Sequence, residues 1–135
     1  MNQNLLRFVE RYYKCIPHFT DLMKCGIAKQ NREQKRIFEI RKRNCVERYL
    51  RDEIRIIDPK VILCIGAMAY TAVVELKEKG AIAPEQIVKL VHYSRQASLP
   101  LSAADKENVV WPFQAGMVPV EDLANLSFFE KGSTP

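Results

Sequence analysis

No stretch of the 135 residues approaches the roughly 20 consecutive apolar residues that a membrane-spanning helix needs. The opening MNQNLLRFVERYYK carries charges where a secretion signal needs an apolar core. These two absences make a cytoplasmic chain without a membrane partner the expectation. Cysteine occurs four times, at Cys15, Cys25, Cys45 and Cys64, with 9, 19 and 18 residues between, but there is no C-x-x-C pair and no His-x-His. That spacing gives no zinc or redox signature, and in a reducing compartment disulfides are not expected. Glycine is scarce, and CIGAMA holds one where the dinucleotide-binding fingerprint needs three for the backbone to approach a pyrophosphate. A nicotinamide or flavin site is therefore not expected, and Gly66 is left to make a tight strand-to-helix turn. Internal repeats and low-complexity segments are also absent.

The chain does have the composition of one small globular domain, 47% apolar and 27% charged. Its formal charge of +5 and pI near 9.1 favour a polyanionic partner such as nucleic acid.

Leu5, Leu6, Phe8, Val9, Tyr12 and Tyr13 recur at three and four residues, which predicts a short amphipathic helix ended by Pro17. HFTDLMK, His18 to Lys24, reads as a strand. From Asn31 to Ile57 there is no Gly or Pro, and Phe38, Val46, Tyr49, Leu50, Ile54 and Ile57 fit a long helix stopped by Asp58-Pro59. KVILCIG is an apolar run suited to a parallel strand covered on both faces, with Cys64 as a small buried hydrophobe. AMAYTAVVELKEKG is a helix closed by Gly80, and QIVKLVH is the next strand. Tyr93 to Pro119, with Pro100, Pro112, Gly116 and Pro119, reads as a long loop; VEDLANLSFFEK reads as a terminal helix, and GSTP as a frayed end. Helix, strand, helix, strand, helix, strand is the order of βαβ units, hence an α/β fold with a mostly parallel sheet and helices on both faces. In such sheets function gathers at the carboxyl ends of the strands.

Three constellations lie where that rule points or where charge gathers. His92, Tyr93, Ser94 and Arg95 follow one another at a strand end: a ring that donates to a developing anion, two hydroxyls and a guanidinium suited to phosphate. The long helix carries nine Lys or Arg against five Asp or Glu, including Arg41, Lys42 and Arg43; it is either a solvated face or a phosphate-contacting one. Trp111 and Phe113 either close the core beneath the late loop or stack on a base, and core closure is the commoner role.

FTDLMKC (Phe19 to Cys25), NCVERYLRDEIRIIDPKVILCIGAMA (Asn44 to Ala69) and VHYS (Val91 to Ser94) together resemble the uracil-DNA glycosylase superfamily, particularly its bacterial and archaeal members that often carry an iron–sulfur cluster. The resemblance covers roughly Leu5 to Ala97 and is most specific in its middle section. It implies a three-layer αβα fold, binding to DNA, and hydrolysis of the N-glycosidic bond to a flipped-out base during base-excision repair. His92 matches the motif residue that stabilises the leaving base anion, and Ser94 the serine that fixes a neighbouring phosphate. Arg95 falls where the family's loop enters the minor groove, and Arg41, Lys42 and Arg43 are further candidate DNA contacts.

Several positions depart from the family's pattern. The glycine-rich motif that handles the attacking water lies on a strand before the first predicted helix, and this chain begins after it. The expectation is therefore a single domain, residues 1–135, N-terminally incomplete relative to the family, with little or no excision activity in this form. Asp21 stands where the family commonly has a base-reading Asn; an ionised carboxylate only accepts, so a base presenting an amino group fits it at least as well as uracil. Tyr93 replaces a proline that would stiffen the motif. Cys25 and Cys45 match two cluster-binding cysteines, but the upstream pair is missing, so a four-thiolate cluster is not expected and no other metal or cofactor is. Two alternatives accompany this reading. One is a non-catalytic DNA-binding module on the same fold. The other is an α/β module whose sheet is completed by a partner chain or a second copy.

Overall fold

The computed structural model describes residues 2–22, 32–93 and 102–117. The expected terminal helix and frayed end, Ser94, Arg95 and Cys25 lie outside these residues. The chain divides into two compact units: Met1–His18 with Leu63–Ala67 and Val88–Pro135, and Phe19–Ile62 with Met68–Ile87. Two strands, β1 (Val61–Ile65) and β2 (Gln86–Leu90), pair in parallel. The Gln86 N–H donates to Lys60 O at one end of the ladder, and the Gly66 N–H to Leu90 O at 2.9 Å at the other. The α/β class with a parallel sheet is thus as the order of elements implied. Among the described residues no helix is long and apolar enough to cross a membrane.

In the first unit, α1 (Gln3–Tyr13) is capped by Asn2, whose side chain accepts the Leu5 N–H at 3.1 Å. Lys14 ends it in the left-handed conformation, with its N–H on Glu10 O, three residues before Pro17. Leu5, Phe8 and Val9 form its buried stripe. A second helix, α4, spans residues 103–114 and packs against it. Phe8 lies 5.8 Å from the Trp111 ring, and Glu107 Oε1 accepts from Arg7 Nε at 2.8 Å and Asn4 Nδ2 at 3.2 Å.

Helix α4 corrects the expectation of a loop from Tyr93 to Pro119. The prolines misled because Pro112 lacks an N–H and its ring collides with the carbonyl four residues back in regular α geometry. Here residues Lys106–Val110 form a π-helical turn, and the Trp111 N–H bonds Lys106 O, five residues back. The ladder shifts register just ahead of Pro112, so the helix passes the proline at its widened turn. Trp111 is fully buried, so core closure is its role.

In the second unit, the long helix α2 runs over residues 32–57 as expected, but with a π-helical turn at Cys45–Leu50, where the Arg51 N–H reaches Val46 O. The turn has a packing cause. Leu50 and Ile54 lie 12 and 16 residues beyond Phe38, which at ~100° per residue puts them roughly 120° and 160° round from it. One extra residue brings them back to roughly 20° and 60°, so that Phe38, Cys45, Val46, Leu50 and Ile54 are buried together. Asp58, left-handed at φ 51°, closes the helix before Pro59. Helix α3 (Ala67–Glu78) buries Ala72, Val73 and Leu76. It ends in a Schellman motif: the Gly80 N–H bonds Lys77 O, the Ala81 N–H bonds Leu76 O, and Gly80 supplies φ 73°.

The strand expected from His18 to Lys24 is not formed over its described part, His18–Leu22. Its apolar content gave no burial there: Phe19 is exposed, and the Thr20 hydroxyl bonds the Glu53 carboxylate at 2.7 Å instead. A strand needs a ladder partner, and among the described residues β1 and β2 pair only with each other.

Cys64, on β1, is buried, as the apolar run implied, and burial pushes its thiol from the ordinary 9.0 up to about 11; Cys15 is exposed. Alkylation at pH 8 followed by peptide mapping should label Cys15 and leave Cys64 unlabelled until denaturant is added. Since folding raises the Cys64 value, its contribution to stability is complete below pH ~9 and is lost as pH climbs through about 11. Cys64→Val should flatten that part of the stability profile.

Candidate active site at the tip of β2

The ladder of β2 ends at Leu90, itself fully buried, and the next peptide groups turn to α4 for partners. The Val91 N–H donates to the Gln114 side-chain oxygen at 2.9 Å, and the Val91 carbonyl accepts the Trp111 indole N–H at 2.9 Å. The His92 carbonyl accepts the Lys106 ammonium, also at 2.9 Å. Three side chains of one helix therefore fix two consecutive residues of the strand tip.

His92 emerges from this clamp half-buried. Its ring lies against the Tyr93 ring, centroids 4.3 Å apart and planes tilted by 36°. On the β1 side, Gly66 makes the turn into α3 at φ 92°. A Cβ built there would sit 4.0 Å from His92 Cδ2, ordinary contact, so glycine is required by backbone conformation rather than by space. The two strand ends thus place Gly66 beside His92, and His92 against Tyr93.

The other sequence-derived residues are placed as follows. Asp21 is exposed and belongs to the second compact unit. Arg41 and Arg43 are exposed on α2, and Lys42 pairs with Glu39 at 3.0 Å, one turn earlier. Cys45 is buried on the π-helical turn of α2. Among the described residues no three His, Cys, Asp or Glu side chains gather to hold a metal ion.

Lys106, Trp111 and Gln114 were missed as site-building residues because their segment read as loop. The signal that finds them is local. Ser102 followed by Asp105 is a helix-start pattern, realised here by the Asp105 N–H on Ser102 Oγ at 3.1 Å, and an apolar run follows.

Residues 12–113 match the sequence profile of the uracil DNA glycosylase superfamily. With that much of the sequence aligned, the chain belongs to this superfamily, a class acting on DNA bases. Comparison with curated proteins and comparison with solved structures each gave no match.

Trp111→Phe removes the indole donor and leaves the Val91 carbonyl without it, which should cost roughly 1–3 kcal/mol in urea denaturation. A loss below about 0.5 kcal/mol would show that the clamp adds little to stability.

Proposed function

We propose that this chain is a DNA glycosylase-like domain of base-excision repair that assists cleavage of the N-glycosidic bond of a flipped base, with His92 donating to the leaving base. The observation that supports it is the fixed position of His92 on a strand tip in a member of this superfamily. Cleavage develops positive charge on the sugar and negative charge on the departing base. A donor held ready at the base oxygen stabilises charge that exists mainly in the transition state and so lowers the barrier rather than merely tightening binding. A half-buried imidazole on a braced backbone has little reorganising to do at that moment.

The proposal also assigns Ser94 and Arg95 to phosphates flanking the flipped nucleotide, and Asp21 to the base edge. An Asp carboxylate accepts hydrogen bonds, so it favours a base that offers an amino group. Activation of the attacking water is assigned to no residue of this chain, and slow excision is the corresponding expectation. Single-turnover assays on single-stranded oligonucleotides, each carrying uracil or an amino-bearing base, should reveal slow release of at least one base. That rate should fall by about 100-fold in His92→Ala, the scale of losing one transition-state donor. Equal release by the two proteins would sink the assignment.

A second reading, a non-catalytic DNA-binding module, is favoured by one observation: Arg41 and Arg43 are exposed on α2 in a chain of net charge +5. Replacing Arg41, Lys42 and Arg43 together by Gln should weaken DNA binding and shrink the slope of log affinity against log salt by about 2 to 3, one per lost phosphate contact. An unchanged slope would remove α2 from the interface.

A further inference from the structure

Lys106 is the one charged residue with a fully buried side chain among the described residues, at 1% exposure. Taking an ammonium out of water is costly unless it is hydrogen-bonded, so the placement of this group needs a cause. It sits at the first position of the π-helical turn of α4, and it donates to His92 O. Charge-assisted bonds of this kind are stronger and more directional than neutral ones.

We propose that Lys106 is a positioning residue for His92, its buried ammonium fixing the backbone of the strand tip so that the imidazole is presented in one orientation. The position after His92 is Tyr93, which does not lock its own backbone, and the peptide joining the two is the one Lys106 holds. Trp111 and Gln114 secure the preceding residue, Val91, but only Lys106 among these three reaches His92 itself. The neighbouring Glu107 braces the same turn against α1 through Arg7 and Asn4, so the lysine projects from a supported platform. The proposal rests on the reading of His92 as the leaving-group donor for its catalytic meaning, but not for its structural test.

Lys106→Met fills similar volume without the donor, and Lys106→Gln keeps a neutral donor. Val110→Ala, on the same turn and buried, controls for loosened packing. The chain has two histidines, so the His92 ring signal in an NMR spectrum is identified by its disappearance in His92→Gln. Lys106→Met removes the costly buried ammonium but also takes the donor from the His92 carbonyl, so its unfolding midpoint should fall, by about as much as in Trp111→Phe. It should also double or broaden the His92 signal, with Lys106→Gln intermediate. Val110→Ala should unfold earlier and leave the ring signal unchanged. Single-turnover excision should fall by at least about tenfold in Lys106→Met while DNA affinity stays within about twofold, the pattern of a misplaced group rather than lost binding. A His92 signal in Lys106→Met and Lys106→Gln indistinguishable from that of Val110→Ala overturns the proposal, as does excision at the wild-type rate. A perturbed His92 signal in a protein whose wild type excises no base supports the positioning role and overturns the glycosylase reading alone. Should Lys106→Met fail to fold, Lys106→Gln carries the same comparison.

Discussion

The peptide groups of Val91 are the hinge on which this structure turns. A strand that ends in mid-protein leaves a donor and an acceptor behind it, and neither can stay buried without a partner. Here the amide finds Gln114 and the carbonyl finds Trp111. Those two bonds oblige α4 to lie where it does, and α4 then buries Trp111 against Phe8, draws α1 in through Glu107, and delivers Lys106 to His92. The core of the first unit and the backbone contact at His92 are consequences of the same local need.

That coupling explains which parts of the molecule could be read in advance. Elements governed by their own residues were legible. The stripe of Leu5, Phe8 and Val9, the gap in Gly and Pro before Ile57, the apolar run of β1, and Gly80 as a terminator each depend on near neighbours and recur in the structure. The strand at His18–Leu22 was not legible, because β-branched and bulky residues make a strand only where another strand receives them, and Thr20 bonds Glu53 instead. Helix α4 was hidden by Pro112, whose tolerance depends on a wide turn that propensity does not encode.

The candidate site divides in the same way. His92 could be picked out because its residue type and its place at a strand end are both local facts, and membership in the uracil DNA glycosylase superfamily agrees with the resemblance carried by its neighbours. What supports His92 could not be picked out. Lys106 is 14 residues away in sequence, and no periodicity marks a lysine as buried. A charged side chain inside a protein is a tertiary fact, visible only once the groups that solvate it have been placed.

The wide turn of α2 has an electrostatic corollary. Arg41, Arg48 and Arg55 stand seven residues apart, and in an unbroken helix they would drift by only roughly 40° in all, forming one basic stripe. The additional residue in Cys45–Leu50 swings Arg55 roughly 140° away from Arg41, so the stripe is severed where the core is mended. A helix that looks in sequence like a continuous rail for a polyanion is, in space, two short rails facing different directions. The basic side chains at the two ends of α2 therefore cannot line one straight path.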